Sequence, residues 1–239
     1  MLAPEVLYPD VGFGEVSIAV TTRLGGLSKL AFNSFNLASH VGDDAEIVEA
    51  NRGILQHVLN TSISPVWLDQ VHGHDVVKVN GPMSIVPCAD ASVTEQGSLP
   101  LAILTADCLP IVLWDDEGHQ IAALHAGWRG LAGGVIEHTL RHFAGRNVSA
   151  FIGPGVGPCH YEVDALVRNH FRSADAFIAN RPGHYRFDLV GEAKRQLYLL
   201  GVKNVRSMGV CTACDSRFYS YRRDGETGRF ATLVWRSAE

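Results

Sequence analysis

The pattern of apolar and polar residues divides the chain into many short strands and a few helices. Asp44 is a suitable N-cap, and the apolar residues after it recur at helical spacing, which predicts a helix over 45–59. The same spacing predicts helices over 131–143, 161–172 and 188–200. Short apolar or β-branched runs between glycine and acidic residues predict strands. These runs are 17–22, 66–68, 76–79, 99–106, 110–114, 120–124, 148–152, 204–210 and 230–235.

The order of these elements indicates the fold class. Three successive runs in the middle of the chain have the apolar character of buried neighbouring strands, whereas helices separate other strands. We therefore predict an α+β fold in which mixed β-sheets are flanked by helices, rather than a doubly wound sheet. The chain has no internal repeat and no linker rich in proline, serine or glycine, so we predict a single domain over 1–239.

Composition narrows the possible functions. The chain has 239 residues, of which 46% are hydrophobic, and this excludes disordered and fibrous proteins. A net charge of −5 argues against nucleic acid as a partner, and no apolar run is long enough to cross a bilayer. The N-terminal segment lacks the pattern of a secretion signal. We expect a monomeric cytosolic enzyme whose five cysteines are free thiols or metal ligands.

Three segments combine metal-binding side chains with glycine or proline, and they contain His72, Cys108 and His125. Two imidazoles and one thiolate suit zinc or copper, and a fourth position would stay open for water or substrate. The spacing of the three residues matches no compact zinc motif, so two alternatives stay open. The residues are ordinary buried side chains, or Cys108 is a metal-free nucleophile with His125 as its base.

Further motifs resemble the YfiH family, which is also called the laccase-domain family, and extend from about residue 20 to about residue 230. The most specific are HAGWRG and ADCxP. The motifs are RxGGxS at 23–28, NL at 36–37, VGD at 41–43, NR at 51–52, QVHG at 70–73, ADCxP at 106–110, HAGWRG at 125–130, GP at 153–154, YEV at 161–163, CT at 211–212 and FxS at 218–220.

The resemblance implies a YfiH-like fold and a zinc centre whose ligands are His72, Cys108 and His125. It implies phosphorolysis of adenosine, inosine, guanosine and S-methyl-5'-thioadenosine to the free base and a sugar 1-phosphate, together with deamination of adenosine. The expected small-molecule partners are thus purine nucleosides and phosphate. Other members of the family are described as copper-dependent polyphenol oxidases, and one branch as a hydrolase that edits peptidoglycan precursors. Both activities are alternatives here.

Phosphorolysis requires an anion site, for which arginine is well suited because its guanidinium group is a planar fork. We select Arg129 and Arg23 as candidate phosphate ligands, and Asn36 as a candidate partner of a ribose hydroxyl or a base edge. The alternatives are that Arg129 pairs with an acidic neighbour and that Asn36 is an ordinary turn residue. Asp107 is predicted to face away from Cys108 and to support the structure by orienting an imidazole, and the alternative is that it serves as a proton acceptor.

The remaining signals are weaker. Cys211 and Cys214 form a C-x-x-C pair, which is half of a zinc site or a redox pair, but no second pair of ligands is evident in the sequence. We interpret Cys211 as lining or supporting the pocket and Cys214 as incidental. The glycine-rich loop 153–158 is predicted to shape the pocket rim. The aromatic and basic stretch 219–223 either stacks on a purine or is a solvated strand face. His74, His119, His138, His142 and His160 are predicted to be surface or structural residues.

Overall fold

The computed structural model describes residues 3–11 and 15–237. The strands in this part of the chain are β1 (Val6–Leu7), β2 (Val16–Thr21), β3 (Val76–Lys78), β4 (Ala91–Thr94), β5 (Leu101–Thr105), β6 (Leu109–Asp115), β7 (Ile121–Ala126), β8 (Val148–Ile152), β9 (Glu162–Asp164), β10 (Phe177–Arg181), β11 (His184–Phe187), β12 (Asn204–Ser207) and β13 (Phe230–Arg236). The α-helices are α1 (Ala45–Leu59), α2 (Trp128–Gly133), α3 (Val135–Leu140), α4 (Ala165–Asn169), α5 (Leu189–Leu199) and α6 (Tyr221–Asp224).

A six-stranded sheet in the order β12-β8-β6-β7-β4-β3 forms the centre of the molecule. Its inner pairs are antiparallel and its two outermost pairs are parallel. Side chains alternate between the two faces, so Ile111 and Leu113 contact one hydrophobic cluster, whereas Val112 and Trp114 contact another. Because both faces are covered, β6 is apolar along almost its whole length.

Each face of the central sheet has a different neighbour. Helices α2, α3 and α5 supply Leu131, Val135 and Leu197 to the cluster on the first face. The second face packs against a four-stranded antiparallel sheet, β1-β2-β13-β5. The outer face of that sheet is covered by Leu55 and Leu59 of α1. The molecule is thus layered, and the prediction of an α+β fold with mixed sheets between helices is confirmed.

Helix α1 has the predicted bounds because local signals define both of its ends. The Asp44 side chain accepts hydrogen bonds from the backbone N–H groups of Glu46 and Ile47, as an N-cap should. The helix stops at Asn60, which has φ 51° in the left-handed region that asparagine tolerates.

Two predicted helices are wrong in part. The segment 161–172 begins with strand β9 and contains only the short helix α4, and β9 joins β10 and β11 in a small antiparallel sheet. Strand β10 is mostly exposed, so it carries no alternating apolar pattern to reveal it. The helix predicted over 131–143 is divided by Gly134, whose φ of 84° separates α2 from α3.

Smaller differences concern the strands. Residues 66–68 contribute only an isolated bridge between Val66 and Leu101, and the strand predicted over 204–210 ends at Ser207. The sequence does not predict strand β4, because Ala-Ser-Val-Thr is short and has only one large apolar side chain, although all four residues are buried. A search of the described residues finds no helix with the length and apolar character needed to cross a membrane.

Candidate metal centre

Strands β6 and β7 bring two of the three predicted ligands together. His125 is near the end of β7 and lies opposite Pro110 of β6, and Cys108 directly precedes β6. The antiparallel pairing therefore places the thiol and the imidazole at the same end of the sheet. His72 comes from the loop before β3, where its φ of 61° lies in the left-handed region that is unusual for a residue other than glycine.

The ligand atoms of His72, Cys108 and His125 all lie within 4.8 Å of one another. The two imidazole rings meet edge to face, with their centroids 4.7 Å apart. Gly127 leaves space for the thiol, since a Cβ at this position would lie only 2.8 Å from Cys108 Sγ. This convergence explains why a glycine follows the HA of the HAGWRG motif.

Asp90 holds both histidines in place, and sequence reasoning missed it. Its Oδ1 lies 2.8 Å from His125 Nδ1 and accepts a hydrogen bond from the backbone N–H of His72. Its Oδ2 accepts from the N–H groups of Val71 and Gly73. Because Nδ1 of His125 faces this carboxylate, Nε2 is the ring nitrogen available to a metal, the usual arrangement of a carboxylate behind a ligating histidine.

Charge is concentrated between Cys108 and His125. Burial raises the pKa of the Cys108 thiol, but the positive charge of His125 and hydrogen bonds from His125 and His72 outweigh burial and lower this pKa to about 6. Burial lowers the pKa of His125, but the Cys108 thiolate and the Asp90 carboxylate raise it to about 9. The centre thus favours a deprotonated thiol, which is the form that binds metals.

A cavity of about 480 Å³ opens beside the three ligands, which is large enough for a small organic substrate. The rings of Trp128, Tyr161 and Tyr221 line it, together with Gln70, whose amide is held by two hydrogen bonds to the backbone of Leu104. Aromatic walls of this kind can hold a flat heterocycle.

Three arginines also line the cavity: Arg129, Arg222 and Arg229. The Arg129 guanidinium lies 4.5 Å from the centre of the Trp128 ring, and that of Arg222 lies 5.1 Å from the centre of the Tyr161 ring. Among residues 3–11 and 15–237, none of the three forms an ion pair with a carboxylate. Their positive charge is therefore available to an anionic ligand.

Arg23 and Asn36 are not among the residues that line this cavity. The Arg23 side chain contacts Asp224 and lies over the ring of Tyr219. Asn36 is fully buried, and its side-chain amide bonds to Ala38, to Asp43 and to the backbone N–H of Arg229. Asn36 thus holds the backbone of Arg229 in place, and a contact of Arg23 or Asn36 with substrate stays a prediction.

Asp107 accepts no hydrogen bond from an imidazole among residues 3–11 and 15–237. The preceding strand ends at Thr105, and Asp107, with a φ of 95°, borders the cavity beside Cys108. Its carboxylate accepts hydrogen bonds from the hydroxyls of Thr212 and Ser220 and from the backbone N–H of Arg222. It supports the structure, as predicted, but by attaching the segment that carries Arg222.

The weaker candidates separate in the structure. In the stretch 219–223, Tyr221 and Arg222 reach the cavity, whereas Tyr219 is buried and Arg223 pairs with Asp224. Cys214, interpreted from the sequence as incidental, lies with Cys211, Cys159 and His160 in a second group of side chains that could hold a metal. Cys211 does not line the cavity but lies beneath the loop that does, and Val156 of the glycine-rich loop is in the cavity wall.

Comparisons with known proteins identify the family of this chain. The family model described as multi-copper polyphenol oxidoreductase laccase matches residues 17–237. A Pseudomonas aeruginosa protein named purine nucleoside phosphorylase is 44% identical, over 92% of this chain and 93% of its own length. The Escherichia coli protein named purine nucleoside phosphorylase YfiH is 40% identical, with coverage of 92% and 93%.

Solved structures show the same fold. A Neisseria meningitidis protein superimposes with a TM-score of 0.93 at 38% identity, covering 98% of this chain and 99% of its own. YlmD from Geobacillus stearothermophilus gives a TM-score of 0.90 at 33% identity, with coverage of 95% and 94%. From its motifs, its fold and these relatives, the chain belongs to the YfiH family, whose family model is that of the multi-copper polyphenol oxidoreductase laccases.

Proposed function

We propose that this protein is a zinc-dependent purine nucleoside phosphorylase. The observation that carries the proposal is the position of three converging side chains that could bind a metal, next to a cavity with aromatic walls and three arginines that form no ion pair within the described part of the chain. The names of the relatives at 40–44% identity support the same reaction. The cytosolic location, the monomeric state and the single domain stay predictions.

The donor set fits zinc. His72, Cys108 and His125 would hold the ion through two nitrogens and one sulfur, leaving a position that faces the cavity. When bound, the ion supplies Lewis acidity that can polarise an oxygen of the substrate or of water. Asp90 would keep the His125 ring in place, and the low pKa of Cys108 would keep the thiol ready to bind.

The arginines would bind phosphate. In phosphorolysis a phosphate oxygen bonds to C1′ of the ribose, the bond from C1′ to the purine nitrogen breaks, and the purine leaves with that electron pair and takes up a proton. Arg129, Arg222 and Arg229 would neutralise the phosphate and hold it at the ribose, which converts a collision into an oriented attack. Trp128, Tyr161 and Tyr221 offer ring faces to the purine.

Hydrolytic deamination of adenosine is a second candidate at the same site. In that reaction a water oxygen adds to C6 of the purine, and the amino group leaves as ammonia. A metal ion held by His72, Cys108 and His125 would have room for a water ligand, which favours this reaction because it needs an activated water but no phosphate. Copper-dependent oxidation is the alternative suggested by the description of the family model, and the same donor set also suits copper.

The test is metal analysis combined with a phosphate-dependent assay. Full-length untagged protein, purified without added metal, is analysed by elemental mass spectrometry and incubated with adenosine, inosine or S-methyl-5'-thioadenosine, with and without phosphate. We expect zinc, free base released only with phosphate, and inosine formed from adenosine without it. Cys108→Ala should lose both activities, whereas Cys88→Ala, at an exposed cysteine outside the cavity, should keep them.

Copper in place of zinc without purine turnover would overturn the proposal in favour of the oxidase. Turnover that survives chelation but not alkylation of Cys108 would indicate the metal-free hydrolase.

A further inference from the structure

A second group of metal-binding side chains lies in two loops near the cavity. It consists of Cys159, His160, Cys211 and Cys214, whose ligand atoms all lie within 4.8 Å of one another. Cys159 and His160 follow the glycine-rich loop, and Cys211 and Cys214 form the C-x-x-C pair more than fifty residues later. The proposed phosphorylase reaction uses none of the four.

The distances among these atoms match the edges of a metal tetrahedron. Zn–S bonds of about 2.3 Å and a Zn–N bond of about 2.0–2.1 Å give edges of about 3.8 Å between sulfurs and about 3.6 Å between sulfur and nitrogen. Cys159 Sγ lies 3.6 Å from Cys211 Sγ and 3.5 Å from Cys214 Sγ. His160 Nδ1 lies 3.3, 3.9 and 3.4 Å from the sulfurs of Cys159, Cys211 and Cys214.

The surrounding backbone is arranged for thiolates. The Gly157 N–H donates to Cys211 Sγ over 3.1 Å, and a Cβ at Gly157 would crowd the sulfurs of Cys159 and Cys211 at 3.4 Å. The C-x-x-C segment turns tightly, because the N–H groups of Cys214 and Asp215 both donate to the carbonyl of Cys211. This turn directs both of its sulfurs toward the same point, as in zinc-binding turns.

We propose that Cys159, His160, Cys211 and Cys214 bind a second zinc ion, separate from the centre at His72, Cys108 and His125. Three sulfurs and one nitrogen complete a tetrahedral shell, so this ion has no open position for substrate and its role is structural. The proposal does not depend on the proposed phosphorylase function, because it rests on a different set of ligands.

The ion would join two loops that form the cavity wall. The first loop carries Val156 and Tyr161, which line the cavity. The second loop carries Thr212, whose hydroxyl donates to Asp107 and whose backbone N–H donates to Gly155. Among the described residues, Gly155 joins the two loops through backbone hydrogen bonds with Val210 and Thr212, and metal binding would add free energy to this contact.

The first test counts metal in the full-length protein. Elemental mass spectrometry of the wild type should find about two zinc ions per chain, because each ligand set holds one. Cys214→Ser and Cys108→Ala should each lose about one ion, and the double variant should lose both. Cys88→Ser is the matched control, since Cys88 is an exposed cysteine outside both groups, and it should keep the full content.

The outcomes separate the two metal sites. If Cys214→Ser keeps the wild-type metal content, the second site is refuted. If Cys108→Ala keeps it while Cys214→Ser loses one ion, the second site stands and the proposed metal centre fails. Copper at the second position, or a Cys159–Cys214 disulfide seen as a mass lower by two hydrogens that reduction reverses, would also refute the proposal.

A cobalt spectrum covers the case in which Cys214→Ser does not fold. Cys108→Ala, stripped of metal and loaded with Co²⁺ alone, should show thiolate-to-cobalt charge transfer and the visible bands of tetrahedral cobalt. Because Cys108 is replaced in this variant, the thiolate-to-cobalt charge transfer reports cobalt at the second group, and its absence would refute the site. Zinc should displace the bands, and chelation of this variant should lower its Tm.

Discussion

The Nδ1 atom of His125 lies 2.8 Å from Oδ1 of Asp90, a residue 35 positions earlier in the chain. The same carboxylate accepts hydrogen bonds from three consecutive backbone N–H groups, those of residues 71–73, of which the middle one belongs to His72. One buried side chain therefore orients two of the three proposed metal ligands.

This relationship predicts the effect of Asp90→Asn. An asparagine has one acceptor oxygen, so in either orientation its NH₂ group faces N–H donors that the carboxylate accepted. We expect metal affinity and turnover to fall by about 10–100-fold, the usual cost of losing the carboxylate behind a ligating histidine. Metal titration and the phosphorolysis assay measure both losses. Asp175→Asn, at an exposed position, is the control, and unchanged metal affinity in Asp90→Asn would contradict the assigned role.

Gly127→Ala should disturb the metal centre by a steric clash. The new Cβ would lie 2.8 Å from Cys108 Sγ and 3.5 Å from the His72 ring, and the sulfur would have to move. Because metal sites tolerate displacements of only about 0.2 Å, we expect a lower zinc content and lower turnover. The matched control is Gly53→Ala in α1, where a Cβ meets nothing within 4 Å and should leave both quantities unchanged. A Gly127→Ala enzyme with full zinc content would show that the centre is more adaptable than this geometry indicates.

Arg129→Ala should weaken phosphate binding more than nucleoside binding. Loss of a charge-assisted hydrogen bond costs about 1.5–3 kcal/mol, which corresponds to a rise of about 10–150-fold in the KM for phosphate. Separate titrations of phosphate and inosine measure the two effects. Arg141→Ala, at an exposed arginine paired with Glu137, should change neither. An equal rise in both KM values would argue against a specific phosphate ligand.

The environment of Asp115, which lies outside the cavity, predicts that the stability of the fold depends on pH. Its buried carboxylate accepts from Arg146 over 2.6 Å and from two backbone N–H groups. Burial raises the pKa of Asp115, but the hydrogen bonds from His119 and Arg146 lower it below its usual value. A lowered pKa adds stability above the unfolded pKa of about 3.9, and this stability is lost as the pH falls through the folded value.

We therefore expect Asp115→Asn to lower the free energy of unfolding by about 1–3 kcal/mol at pH 7, the cost of a broken buried hydrogen-bonded pair. The difference from the wild type should stay constant down to about pH 5 and shrink below about pH 4. Urea unfolding at a series of pH values measures it. Glu137→Gln removes an exposed pair and should have little effect. A difference that grows at low pH would contradict the sign of the shift.

Local signals predicted much of the fold. The residues that flank helix α1, Asp44 and Asn60, are typical of a helix start and a helix stop. Strands β5, β6 and β7 are apolar runs that are separated by polar or glycine residues. The predictions failed where tertiary contacts outweigh local pattern. Strand β4 is short and has few apolar residues but is paired between β3 and β7, and the exposed strand β10 is paired with β11.

The sequence by itself predicted the ligand set His72, Cys108 and His125, through motifs that combine metal-binding side chains with glycine or proline and that resemble those of the YfiH family. It also determined the family, the α+β class and the acidic balance that argues against nucleic acid. Only the tertiary structure decided the partners of these residues. No sequence pattern distinguishes Asp90 from other acidic residues, and the pairing of β4 with β7 places it beside His125. The loops that meet at the cavity determine which arginines line it. The proximity of Cys214 to Cys159 and His160 is visible only in the structure, because the spacing of residues along the chain does not show which loops the sheets bring into contact.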